Sequence, residues 1–199
     1  MLNDKKIKEF KSWAKDSAKS YVLDNREDKA DIKEYFNSCV SCLFGEKGTR
    51  LQERFNYSVE DTDEALNFYN TAFWRGYEEW QRKKDSLDKV LLEHKEVFEE
   101  AEKIAKNVDV SDIRDGFPCG GGIVYLSSEA QKTELGKTLR VLSKNDSYSA
   151  KVCPQWTYRI PIKIPSYGQC VSFDERICKK VADFLTSKNI PCRVYTYID

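Results

Sequence analysis

The five prolines of this 199-residue chain, Pro118, Pro154, Pro161, Pro165 and Pro191, all lie after residue 117. Proline lacks a backbone N–H and clashes with the preceding helical turn, so it is kept out of helix interiors and tolerated in turns and edge strands. The first 117 residues are thus free to be helical throughout, and the remainder is not. Charge changes sign at the same place. Residues 1–115 carry 21 Lys and Arg against 26 Asp and Glu, a formal −5, whereas residues 116–199 carry 12 against 7, a formal +5. The expected fold class is α+β, with an acidic helical domain over 1–115 and a basic α/β domain over 116–199.

Apolar residues recur at three- and four-residue steps through the first half, as a buried helix face requires. Ile7, Phe10, Trp13, Ala14, Ala18 and Tyr21 mark a first helix capped by Asn3 or Asp4. A second helix is expected from near Asp28 to a stop at Gly45, with Ile32, Tyr35, Phe36, Cys39, Val40 and Leu43 on one side, and a short helical turn over 50–57. The longest pattern predicts one helix over about 62–107, with Ser58 and Thr62 as cap candidates and Gly76 or Asp85-Ser86 as the places to bend. Its seam runs through Phe73, Tyr77, Trp80, Leu87, Leu91 and Phe98 in a seven-residue register. The plainer reading packs this helix into a bundle, and the sharper one makes it a coiled-coil arm for a homodimer.

The second half is expected to open with a linker, residues 108–122, ending in Gly120-Gly121-Gly122. A strand at 123–126 follows, then a helix from a Ser128–Gln131 capping box to about Leu142. Residues 156–164 alternate as an edge strand would, with Trp156, Tyr158, Ile160, Ile162 and Ile164 on one face and Arg159 and Lys163 on the other. A short strand over 169–173, a helix capped by Asp174 and ended by Asn189, and a strand over 192–198 complete the order β-α-β-β-α-β. That is the element order of ferredoxin-like domains.

No motif for a cofactor, a metal or catalysis stands up. Gly136-Lys137-Thr138 ends like a phosphate loop, but Gln131 occupies the earlier glycine position. Cys39 and Cys42 have metal-ligand spacing without a second pair, and both are expected beside the apolar stripe. His94 is the only histidine and falls in the core register of the long helix. The seven cysteines are odd in number and spread over both halves, which suggests reduced thiols and a cytoplasmic location. No stretch approaches the roughly 18 apolar residues of a membrane span.

One constellation carries a function. In the last strand Arg193, Tyr195 and Tyr197 share a face, the adjacent first strand adds Tyr125, and Arg159 and Lys163 lie at the edge. Such a face either docks another protein or stacks and neutralises single-stranded nucleic acid. Residues 169–173 lack the aromatic pair typical of RNA-recognition modules. The expectation is a non-enzymatic protein of the inhibitor, adaptor or regulator kind that phages and mobile elements encode, acting through protein contacts. Single-stranded nucleic-acid binding is the alternative, and a thiol enzyme using Cys170, Cys178 or Cys192 comes third.

Overall fold

The computed structural model describes residues 2–24, 30–55, 57–113, 119–143, 153–165 and 171–198. These are mostly helical, with one small antiparallel sheet near the C-terminus. In chain order they are α1 (Asp4–Leu23), α2 (Ile32–Phe44), α3 (Thr49–Phe55), α4 (Val59–Glu93), α5 (Lys95–Lys106), β1 (Gly120–Leu126), α6 (Glu134–Ser143), α7 (Val171–Ser187) and β2 (Cys192–Ile198). Short 3-10 turns occupy Glu46–Gly48, Ala130–Lys132 and Pro154–Tyr158. The chain divides into two compact units, Met1–Ser86 and Leu87–Asp199, with the division falling inside α4 rather than near residue 116.

The first unit is built on caps and aromatic rings. Asn3 Oδ1 accepts the Lys6 N–H at 3.0 Å and opens α1. Asp31 does the same for Lys33 at 2.8 Å, so α2 begins at Ile32 and not near Asp28, a residue outside the described set. A cap works only where its side-chain oxygen reaches the second or third helical N–H, and Asp31 has that position. Gly45, at φ 75°, ends α2 as expected. Ser58 Oγ accepts the Asp61 N–H at 3.1 Å and starts α4. Phe10, Ala14 and Ala18 of α1, Phe44 of α2, Leu51 of α3, and Ala65, Tyr69, Ala72 and Phe73 of α4 form the buried core. Gly76, expected as a bend, is instead the point of close approach between α1 and α4. A Cβ there would lie 3.3 Å from Lys15 Cα and 3.4 Å from Ala18 Cβ.

The single helix expected over 62–107 is two helices, and the break is at His94 (φ −105°, ψ 0°). The His94 N–H bonds Leu91 O at 3.1 Å, a 3-10 step. Its ring Nδ1 meets Val90 O, the acceptor a regular helix would offer that N–H, at 2.8 Å. A carbonyl only accepts, so Nδ1 carries the proton. A side chain that takes over a ladder acceptor is a recognised cause of a helix break. The seven-residue seam is thereby shared out. Phe73 is fully buried in the first unit, whereas Phe98 is buried in the second with Leu91 packed beside it.

In the second unit β1 and β2 pair antiparallel, with Gly121 opposite Tyr197, Ile123 opposite Tyr195 and Tyr125 opposite Arg193. Directly opposed residues share a face, so Val124 and Leu126 lie with Cys192 and Val194 on the other side. That second face carries the core, made with Ile177, Cys178, Val181, Ala182 and Leu185 of α7, Leu135 and Leu139 of α6, Ile160 and Ile162, and Phe98, Ala101 and Ala105 of α5. Asn189, at φ 62°, ends α7, and the Ile190 N–H returns to Leu185 O at 2.9 Å, closing the turn in the Schellman manner.

Several expectations for this unit need correcting. The glycine run is strand, not linker, because it pairs with Thr196–Ile198 of β2, and glycine suits the place because neighbours crowd any Cβ. At Gly120 it would run into the Tyr197 backbone carbonyl, at Gly121 into the Tyr197 hydroxyl (2.5 Å), and at Gly122 into Cys178 Sγ (3.0 Å). The 128–142 helix begins later, at Glu134, where Thr133 Oγ1 accepts the Gly136 N–H at 3.3 Å and caps α6 in place of Ser128. The alternating segment 156–164 is not a strand. Pro154 starts a 3-10 turn to Tyr158, as proline at a first helical position does, and beyond it one bridge joins Arg159 to Tyr125. Residues 171–173 begin α7 where a strand was expected, and Asp174 lies within that helix rather than capping it; 166–170 lie outside the described residues. Among the described residues the sheet has two strands, so a full ferredoxin-like domain is not shown.

Candidate functional site

β1 and β2 are 7 residues each, and their pairing brings side chains from distant positions onto one surface. Tyr125 stands opposite Arg193, and Tyr195 and Tyr197 follow along β2. The bridge between Tyr125 and Arg159, with the Ile160 N–H bonded to Val124 O at 3.0 Å, ties the 153–165 segment to the free edge of β1. That tie delivers Arg159 to the same face. Lys163 is carried elsewhere, since its N–H bonds Glu102 of α5 at 2.9 Å. Of the six residues the sequence singled out for binding, five therefore gather and one does not.

The structure adds Trp156, which the alternating pattern had put on the face opposite Arg159. Its ring centre is 6.0 Å from that of Tyr197, and the Arg159 guanidinium sits 5.0 Å above it. Tyr195 and Tyr197 lie nearly parallel, 6.4 Å apart at 22°. The three tyrosines and Trp156 are half-buried, while Arg159 and Arg193 are exposed. Gly121 makes this layout feasible, since the Tyr197 ring reaches across β1 into the space its side chain would fill. Cys153, beside the cluster, donates to Gln155 Oε1 at 2.9 Å and holds the Tyr195 hydroxyl above its usual range. The assembled set holds two guanidinium groups, four aromatic rings and no carboxylate.

Among the described residues, Glu100, Asp112 and Asp174 of this unit are engaged away from that set. Glu100 of α5 meets Lys188 at 3.7 Å, and Asp112 holds Arg176 of α7 through both carboxylate oxygens. Asp174 accepts the Gly122 N–H beneath the sheet, and burial raises its carboxyl above the ordinary aspartate range. Burial pushes the Cys178 and Cys192 thiols up to about 12, which leaves them protonated at neutral pH, and Cys170 lies outside the described residues.

Other singled-out residues have structural places. His94 is half-buried and stacks on Phe98 at 5.9 Å. Cys39 is half-buried, while Cys42 is exposed rather than beside the apolar stripe. Gly136 and Thr138 are buried within α6. Tyr77 is half-buried beside Tyr21, and Trp80 lies under Lys19 and Lys83. Among the described residues there is no group of three metal-ligating side chains and no helix long and apolar enough to cross a membrane. No protein-family model, curated protein or solved structure matches this chain.

Proposed function

We propose that this chain is a non-enzymatic binding protein that holds a single-stranded nucleic acid on the sheet face bearing Tyr125, Trp156, Arg159, Arg193, Tyr195 and Tyr197. One observation carries the reading. Four aromatic rings and two guanidinium groups converge on the sheet face turned away from the helical core, with no carboxylate among them. Rings of this kind stack on bases regardless of sequence, and arginine neutralises phosphate. The order β1, α6, the 159–160 bridge, α7 and β2 is read as a reduced ferredoxin-like arrangement, which turns one sheet face outward.

A protein partner is the second reading. It is favoured by the way Tyr195, Tyr197 and Trp156 lean on one another, half-buried, since clustered Trp, Tyr and Arg are also the anchors of protein interfaces. Either partner suits a regulator or adaptor.

Fluorescence titration of oligo(dT) and oligo(U) with the full chain tests the first reading. Tyr195→Ala and Arg193→Ala should each weaken binding, the tyrosine by about 1–3 kcal/mol, or roughly 5- to 150-fold. Unchanged affinity in both variants would remove the sheet face from consideration. A stoichiometric protein complex that survives nuclease, in a chain with no affinity for either strand, would install the second reading.

A further inference from the structure

The acidic half of the chain contains a basic groove. On α1, Lys8, Lys11, Lys15 and Lys19 recur at three- and four-residue steps and so share one side of the helix. Lys11, Lys15, Asn67, Phe68, Thr71, Ala72 and Arg75 line a cavity of about 370 Å³ between α1 and α4, and no carboxylate is among them. The row continues along the same two helices. Lys11 Nζ sits 4.8 Å above the Phe68 ring, and Lys19 and Lys83 lie 5.3 and 4.5 Å from the Trp80 ring. Arg75 reaches Glu79 at 3.2 Å, a pair so exposed that water and salt screen it.

We infer that this α1–α4 groove is a second contact surface for a single nucleic-acid strand, taking its phosphates on Lys11, Lys15 and Lys19. Residues four apart on a helix are separated by about 6 Å along the axis, so the three lysines form a row of cations and not one cluster. The lysines can thus meet several phosphates along a row rather than a single anion. The Lys11 and Lys19 ammonium groups are held over aromatic faces, which limits the side-chain freedom lost on binding. Phe68 and Trp80 give the strand apolar surface between the charges, which an acidic peptide would not use. The choice of ligand rests on the function proposed above, whereas the groove stands on its own contacts.

The experiment compares the wild-type full chain, Lys11→Gln/Lys15→Gln/Lys19→Gln, and Arg193→Ala/Tyr195→Ala in titrations of oligo(dT) and oligo(U) at several salt concentrations. The three lysines are surface residues on a helix, and glutamine is a comparably good helix former, so the triple variant keeps the fold, as circular dichroism will confirm. It should lose at least tenfold in affinity, and its slope of log K against log salt should be shallower by about 2, at roughly 0.7 per phosphate. An unchanged slope and affinity would overturn the groove while leaving the sheet face standing. Loss in the triple variant alone would keep the groove and sink the sheet face. Displacement of the strand by polyglutamate at concentrations far below those of a competing oligonucleotide would show an acidic-peptide site and overturn the inference.

Discussion

At Gly120 and Gly121 a single missing methyl decides how two strands meet. The obstacle at Gly120 is the Tyr197 backbone carbonyl, which cannot move without breaking the ladder, whereas at Gly121 it is the tip of the Tyr197 side chain, which can swing. Gly120→Ala should therefore cost about 1–3 kcal/mol, the usual range for overpacking. Gly121→Ala should cost less in thermal melts but perturb the tyrosine and tryptophan fluorescence of the cluster. Equal losses in both would show that the ring is as fixed as the backbone. Asp174 makes a second argument at this scale. Its carboxyl is raised by burial, so the native state binds the proton more readily than the unfolded chain. The protonated form favours folding, and that advantage is lost as pH rises through the native value. Asp174→Asn should raise the urea midpoint at neutral pH. The gain should close at about pH 3, below the ordinary aspartate range near 3.9. A gain independent of pH would point to a cause other than ionisation.

Elements show why part of this fold was legible in sequence and part was not. Period and caps placed α1, the end of α2, the start of α4, the end of α7 and β2 correctly because each has one apolar face or a defined stop, as at Asn3, Gly45, Ser58 and Asn189. Periodicity fails where a local contact outbids it. His94 kept the seven-residue register of the long helix, yet its ring captured the Val90 carbonyl and ended α4. In 156–164 the alternation put Trp156, Ile160 and Ile162 on one face, and the structure buries the two isoleucines through a 3-10 turn and one bridge in place of a strand. Trp156 thereby joined the basic aromatic face instead of the core, and Pro154 was the signal that could have shown it. The glycine run was unreadable without its neighbour, since nothing in Gly120-Gly121-Gly122 announces that Tyr197 lies across it. Gly76 is a similar case, where a helix-weakening residue serves the packing of two helices. Gly76→Leu should push α1 off α4 and lower stability by about 1–3 kcal/mol. Chemical denaturation followed by the fluorescence of Trp13, Trp74 and Trp80 reads that loss, and an unaffected midpoint would mean the helices do not meet there.

Over the whole molecule, the −5 and +5 halves of the sequence are not the charges of its compact units. Met1–Ser86 carries 16 Lys and Arg against 17 Asp and Glu, and Leu87–Asp199 carries 17 against 16. The sign change near residue 116 therefore lies inside the second unit, where acidic α5 and the residues after it face basic partners through Glu100–Lys188 and Asp112–Arg176. A unit so nearly neutral exerts little long-range field, and attraction for a polyanion must come from the few cations left on one surface. On the sheet face these are Arg159 and Arg193. Each phosphate neutralised in a single strand contributes about 0.7 to the slope of log K against log salt, so two arginines predict a slope of about −1.4. Measuring oligo(U) binding in the Lys11→Gln/Lys15→Gln/Lys19→Gln background isolates that face. A slope near the expected value fits a local patch. One steeper than about −3.5, the figure for five phosphates, would mean that the excess cations of residues 116–199 act together and that their pairing with α5 does not survive in solution.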